Sequence, residues 1–377
     1  MSHRLYCTRL TLTDFRNHAA LDLDLDGRPV CLYGANGAGK TNILEALTMF
    51  APGRGLRGAG LLDLARGGEA AAADRPRPWS VAARLQVEGE TMQLGVGAER
   101  TPEGGTKRIA RLNGESATPG DLAAVARMTW VIPAMDRLFA GPPADRRRFF
   151  DRMTIARAPE HGVQAAAYER AMRERQRLLS EPGYDAQWLA GLEREMAGHG
   201  AAIAAARVET LELLRRAIAQ RPDGAFPKAD IVLEGALEEQ FLAHEKSFDV
   251  EDRFARALHD ARARDAAIGR ALAGPHRSDL TVRHQAKDMP AEHCSTGEQK
   301  ALLLGLFLAH ARALADDPGA GPALLLIDEA AAHLDAERRA ALFDELLANP
   351  GQAWLTGTDA NLFEAFGDRA QLFRIGA

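Results

Sequence analysis

Apolar positions along this chain recur first with a period of two, then at helical spacing, then as alternating strands and helices. Residues 4–14 alternate like a half-buried strand. Leu21-Asp22-Leu23-Asp24-Leu25 alternates strictly and predicts a second strand, with Asp26-Gly27 as a turn. Val30 to Tyr33 is a short apolar strand. From Thr41 to Phe50, Ile43, Leu44, Leu47 and Phe50 recur at helical spacing. Residues 51–78, rich in Gly, Ala, Arg and Pro, read as loop. Short strands are expected in 79–115, with Asn113-Gly114 as a hairpin turn, and Met128 to Ile132 forms another strand closed by Pro133.

From about Asp145 to Ala273 the pattern is helical, in segments 160–180, 185–220 and 250–273. The middle segment, if continuous, runs roughly 50 Å. Pro182-Gly183 and Pro222-Asp223-Gly224 punctuate these helices. No heptad register is sustained, so the pattern predicts a short helical arm and no long coiled coil. After Pro275 strand–helix alternation returns. The periods predict an α/β domain split by a helical insertion, divided as 1–140, 141–273 and 274–377, without internal repeats.

Composition narrows this reading. The 377 residues are 46% hydrophobic and 26% charged, as in a soluble globular protein. A formal net charge of −5 excludes a polycation, so nucleic-acid binding would need a local basic patch. Arg outnumbers Lys; genome composition is the bland cause, so Arg abundance alone is not evidence of phosphate binding. Cys7, Cys31 and Cys294 are widely separated and lack metal-type spacing, which fits a reducing cytoplasm. No signal core is present. The longest apolar run, Leu302 to Leu314, is interrupted by His310 and Arg312, so no membrane span is expected.

Gly34-Ala35-Asn36-Gly37-Ala38-Gly39-Lys40-Thr41 matches G-x-x-x-x-G-K-S/T between a strand and a helix. Backbone N–H groups of such a loop turn toward phosphate oxygens. Lys40 adds charge near the β- and γ-phosphates, and the Thr41 hydroxyl can ligate Mg²⁺. A simple Gly-rich turn is the alternative. Leu324 to Ile327 reads as a buried parallel strand, with Asp328 and Glu329 at its carboxyl end, where α/β proteins place ligands. Asp328 is a candidate Mg²⁺ ligand and Glu329 a candidate base for the attacking water. Two surface carboxylates are the bland reading. Ser295-Thr296-Gly297-Glu298 has capping-box spacing ahead of an apolar helix, and the same geometry points donors at an anion.

The order of phosphate loop, Ser–Gly turn and Asp–Glu pair resembles the ATP-binding-cassette superfamily. The resemblance implies a P-loop ATPase head of that superfamily with an inserted helical second lobe. It also implies that Ser295, Thr296, Gly297 and Glu298 contact the γ-phosphate held by a second copy. His333-Leu334-Asp335 then resembles the loop that crosses the dimer interface, and Thr358 falls near the switch position, where many members have His.

The resemblance is closer to the RecF family. Asp14-Phe15-Arg16-Asn17-His18 resembles its F-R-N segment, and Gly141-Pro142-Pro143 with Arg146-Arg147-Arg148-Phe149-Phe150-Asp151 its G-x-P-x-x-R-R-x-F-x-D. Gly274-Pro275-His276-Arg277-Ser278-Asp279 resembles its G-P-H-R-x-D. Pro133-Ala134-Met135 departs from the family's usual Pro-Glu-Asp, and the glutamine of transporter cassettes is absent there. The family implies a weak, DNA-stimulated ATPase using ATP and Mg²⁺. It implies an ATP-dependent homodimer that clamps duplex DNA near single-strand gaps, acts with RecR and RecO to load RecA, and opens on hydrolysis. By the same resemblance Arg16 and Asn17 touch nucleotide, unless they only close a strand-end turn. Arg146, Arg147, Arg148, Arg152, Arg157, Arg170, Arg173, Arg175 and Arg177 are candidate DNA contacts, or else a solvated helix face balanced by neighbouring acids. A transporter ATPase subunit and a nucleotide-gated adaptor without useful turnover are the competing classes.

Overall fold

The computed structural model describes residues 4–67, 78–101, 105–329 and 334–376. It divides into two compact units. The first comprises residues 1–136, 223–226 and 303–377, and the second 137–222 and 227–302.

The first unit contains two sheets. Strands β1 (Leu5–Phe15) and β2 (His18–Asp24) pair antiparallel, as their alternation predicts. β3 (Val30–Tyr33) leads into helix α1 (Lys40–Thr48). β4 (Ser80–Val87), β5 (Glu90–Arg100), β6 (Thr106–Leu112) and β7 (Glu115–Ser116) continue the antiparallel meander. The resulting six-stranded sheet has the order β2-β1-β4-β5-β6-β7. Asn113, at φ 51°, makes the predicted β6–β7 turn. Phe15 meets Trp79 edge-on at 5.4 Å in the core beneath it. A short helix, α2 (Pro119–Val125), has a Thr118/Asp121 capping box and precedes β8 (Met128–Val131).

The second unit begins with helices α3 (Pro143–Arg157), α4 (Glu160–Leu179) and α5 (Ala186–Gln220). The predicted all-helical run is then interrupted by β9 (Ala229–Glu234). Its alternating Ile231, Val232 and Leu233 pair antiparallel with β10 (Asp279–His284), and β11 (Met289–Pro290) completes a three-stranded sheet. Between them lie α6 (Ala236–Leu242), α7 (Ser247–Asp260) and α8 (Arg262–Ile268). The segment expected as one helix over 250–273 is thus two, and Gly269 at φ 77° caps the second. Leu189, Met196, Val250, Phe254 and Leu258 belong to an apolar core in this unit. The second unit also runs to Leu302, beyond the expected border at 273, so the Ser295 turn lies in it.

Helix α9 (Thr296–Asp316) carries the longest apolar run. Ala301 to Ala311 are all buried, so this is a core helix, and no described helix is long and apolar enough to cross a membrane. β12 (Leu324–Ile327), α10 (Ala336–Ala348), β13 (Ala353–Gly357) and β14 (Gln371–Arg374) complete the chain. They return to the first unit's second sheet, which is parallel with the order β14-β3-β13-β12-β8. Every strand there is short; β3, β8, β12 and β13 are almost wholly buried, whereas the edge strand β14 is partly exposed. The carboxyl ends of β3, β12 and β13 therefore converge at one edge, the ligand-binding end of such a sheet.

Candidate active site

The phosphate loop leaves β3 and closes at Gly39, whose φ is 103°. A Cβ there would fall 2.5 Å from the Asn17 amide and 2.6 Å from His18 Nε2, so only glycine admits this approach. Those two side chains clamp the loop. Asn17 Nδ2 donates to Ala38 O at 3.0 Å, and His18 Nε2 lies 3.1 Å from Gly39 O. Asn42 Nδ2 donates to Asn17 Oδ1 at 2.7 Å, and Arg57 holds Asn42 in turn at 2.8 Å. Lys40 is buried, with Nζ 2.7 Å from Gly34 O and 2.9 Å from Ala35 O. Ala35, Asn36 and Gly37 are exposed at the loop's tip, and a Cβ at Gly37 would meet nothing within 4 Å.

Asp328 and Glu329 follow β12 directly. Asp328 is 5% exposed, and its Oδ1 accepts from Thr41 Oγ1 at 2.9 Å. The same oxygen accepts from Thr356 Oγ1 at 2.7 Å. Thr356 Oγ1 in turn accepts the Glu329 N–H at 2.9 Å. Glu329 is half-buried at φ 52°, a left-handed conformation that costs a non-glycine residue about 1–3 kcal/mol. Thr358, the residue suggested by its switch-like position, is exposed two residues beyond. Thr356 was not singled out from the sequence. A hydroxyl ending an otherwise apolar strand beside the Asp–Glu strand is the signal for it.

Arg16 is engaged by a carboxylate. Its guanidinium forks onto Glu45 at 2.8 and 2.7 Å and donates to Asp63 O at 2.8 Å. Glu45 lies on α1 and is fully buried. A buried carboxylate needs such a partner, so Arg16 ties the phosphate-loop helix to the β1–β2 turn. Of the predicted pair, Asn17 alone touches the loop.

In the second unit, Ser295 and Glu298 form the expected capping box. Glu298 Oε2 accepts from Ser295 N and from Ser295 Oγ, both at 2.9 Å. The other carboxylate oxygen pairs with Lys287. Lys287 first, and then Ser295, hold the Glu298 carboxyl down at about 2. Thr296 and Gly297 are exposed at the start of α9. Gln299 is buried and donates to Cys294 O at 2.9 Å, bracing the turn. Asp335 is the N-cap of α10, accepting from Arg338 N at 2.8 Å. His333 lies outside the described residues.

The arginines expected on DNA are largely engaged within the second unit. Arg146 forks onto Asp279 at 2.8 and 2.6 Å and also donates to Phe139 O and Gly141 O. Arg147 donates to Ser278 O at 2.7 Å. Arg148 pairs with Asp145 on α3, Arg173 with Glu169 on α4, and Arg177 with Glu174 on α4 and Glu181 just beyond it, all exposed pairs. Arg175 is 1% exposed and bridges Glu193 and Asp265, which removes it from any DNA surface. The Gly274–Asp279 segment is a structural knot. A Cβ on Gly274 would fall 2.1 Å from Tyr168 Oη, which hydrogen-bonds His276 Nδ1 at 2.9 Å. Ser278 Oγ donates to the buried Glu238 at 2.7 Å, and Arg207 bridges Glu238 and Asp151. Burial alone would raise the Asp151 carboxyl, but Arg207 and His161 outweigh it and hold it below the usual carboxylate range.

Residues 6–372 match the family model "RecF/RecN/SMC N terminal domain". The chain is 50% identical over 377 residues to DNA replication and repair protein RecF of Rhizobium meliloti (strain 1021), covering 100% of this chain and 98% of the relative. It is 49% identical to DNA replication and repair protein RecF of Brucella suis biovar 1 (strain 1330), covering 99% and 95%. Its fold is similar to that of the recombination mediator protein RecF-ATP in RecFOR pathway, with TM-score 0.81, 20% identity, and coverage of 100% and 98%. The chain thus has the α/β ATPase-head fold with helical insertions. With half its residues identical to such relatives across its whole length, the chain belongs to the RecF family.

Proposed function

We propose that this chain is an ATP-driven DNA clamp of recombinational repair and replication restart. Two copies close around ATP and hold duplex DNA near a single-strand gap, and slow, DNA-stimulated hydrolysis releases them. The single observation that carries the chemistry is Asp328 Oδ1, which gathers Thr41 from the phosphate loop and Thr356 from β13 beside the backbone of Glu329. Family membership carries the DNA-repair setting.

The donor set fits Mg²⁺ that arrives on a nucleotide. One hydroxyl and one carboxylate lie at the mouth of the loop, too few oxygens to hold the ion alone, and Mg²⁺ takes its remaining ligands from phosphate and water. When bound, Mg²⁺–ATP supplies the γ-phosphoryl group and neutralises its charge. Lys40 binds the phosphates, Thr41 and Asp328 orient the metal, and Glu329 takes the proton of the attacking water. Gly34 to Thr41 cradle the phosphates, with Asn17 fixing the loop's shape.

Ser295, Thr296, Gly297 and Glu298 of the other copy complete the site on the far side of the γ-phosphate. Glu298 occupies both Ser295 donors in the single chain, so docking of an outside phosphate exchanges one anion for another. Asp335 lies on the loop we assign to the dimer interface. Arg148, Arg173 and Arg177, whose exposed side chains pair only with surface acids, are the remaining DNA-phosphate candidates. RecR, RecO and RecA are the partners this reading assigns, in the cytoplasm.

Two substitutions test the halves separately. Lys40→Ala removes a buried charge from the phosphate site, a loss of about 2–5 kcal/mol, or at least roughly 30-fold in ATP affinity. Equilibrium binding of a fluorescent ATP analogue measures this; unchanged affinity refutes the phosphate assignment. Ser295→Arg places a bulky cation in the turn. ATP-dependent dimerisation, followed by sedimentation, is expected to vanish while the monomer still binds ATP. A normal dimer would exclude the turn from the interface.

A further inference from the structure

We infer that Thr356 is a positioning residue for ATP hydrolysis, its buried hydroxyl tying the carboxylate of Asp328 to the backbone of Glu329. The inference rests on the reading of Glu329 as general base and extends it to a residue 1% exposed at the end of the neighbouring strand. The parallel register sets Ile327 opposite Leu355, so Thr356 comes to lie beside Asp328. Its Oγ1 donates to Asp328 Oδ1 at 2.7 Å and accepts the Glu329 N–H at 2.9 Å. A carboxylate only accepts and a peptide N–H only donates, so the direction of this chain of bonds is fixed.

Asp328 Oδ1 also receives the Thr41 hydroxyl, which makes it the meeting point of the phosphate loop and β13. Glu329 sits at φ 52°, which a glutamate does not hold without support from its surroundings. The bond from its N–H to Thr356 supplies such support at the residue itself. The hydroxyl therefore places the base relative to the metal-side acid, and the two acids move as one.

Valine at 356 keeps the shape and removes both bonds; serine keeps both bonds and removes the methyl group. The experiment measures ATP affinity and single-turnover hydrolysis at saturating ATP for wild type, Thr356→Val, Thr356→Ser and Glu329→Gln, with gapped duplex DNA present. Thr356→Val is expected to slow hydrolysis by about 10- to 100-fold, the scale of a misplaced catalytic group. ATP affinity stays within about threefold, because uniform binding is not what is lost. Thr356→Ser is expected to hydrolyse within about threefold of wild type. Hydrolysis by Thr356→Val at the wild-type rate overturns the inference, as does a serine variant as slow as valine. Should the valine protein fail to fold, Thr356→Cys, a similar-sized side chain with weak hydrogen bonding, is compared with serine on the same criteria. If Glu329→Gln also hydrolyses normally, the base reading itself fails; an inactive Glu329→Gln beside an active Thr356→Val refutes the role of Thr356 alone.

Discussion

Glu329→Gln is expected to stop hydrolysis while leaving ATP bound, so that the ATP-joined dimer accumulates. The amide has the size of the carboxylate, and the Glu329 N–H bond to Thr356 comes from the backbone, so the local frame survives the change. What disappears is the ability to take a proton from water, a loss of about 10²–10⁴ in rate for a positioned general base. Lys40, Thr41 and Asp328 are untouched, so affinity persists. The dimer should then sediment as a stable species with ATP, where the wild type cycles back to monomer. Single-turnover hydrolysis and sedimentation of the same protein check the two halves. Wild-type turnover would remove Glu329 from the mechanism; an inactive monomer that never dimerises would remove the clamp.

Arg175→Met is expected to destabilise the second unit more than any other arginine substitution considered. Arg175 is 1% exposed and donates to Glu193 at 3.1 Å, Asp265 at 2.7 Å and Leu258 O at 2.6 Å. Glu193 would keep Arg262, which pairs with it from α8. Among the described residues, Asp265, fully buried, would keep only a 3.3 Å side-chain bond from Leu272 N to its other oxygen. Breaking one side of a buried pair costs about 3–5 kcal/mol, because the stranded charge stays out of water. Against a typical total of about 5–15 kcal/mol, that is a large fraction. Thermal melting should show an early transition, and hydrogen exchange should show lost protection in α4, α5 and α8. Adding Asp265→Asn should restore part of the loss. A melting point within about 2 °C of wild type would contradict this account of the pair. The exposed pair Arg177–Glu174 offers the contrast: its removal should change stability by less than about 1 kcal/mol.

These two residues show where local sequence reports a role and where it does not. Glu329 was legible because an apolar strand followed by two acids has few uses once a phosphate loop is present. Its strained backbone was not legible, because φ depends on what meets the peptide and not on the residue. Arg175 belonged to a run of similar arginines on a helix whose acids and bases alternate. Nothing local distinguishes the one that turns inward from those that stay wet. The partners of Arg146 and Arg16 are hidden for the same reason: each carboxylate is distant in sequence, Asp279 for one and Glu45 for the other. The strand Ala229–Glu234 is hidden in the sequence because Ile231-Val232-Leu233 is a continuous apolar run between helical segments, and its alternation appears only in burial, with Val232 exposed.

By itself, the sequence determined the phosphate loop, the Asp–Glu strand end, the capped Ser295 turn and the interrupted α/β plan. Each is set by residues within a few positions of one another, through turn geometry, periodicity and capping. Only the tertiary structure decided which oxygen meets which. Thr41, Asp328 and Thr356 come from three separate stretches, and parallel strand register brings their oxygens within hydrogen-bond distance. It also decided which arginines are spent on buried acids, since desolvation, which no local pattern reports, makes a buried carboxylate hold its partner.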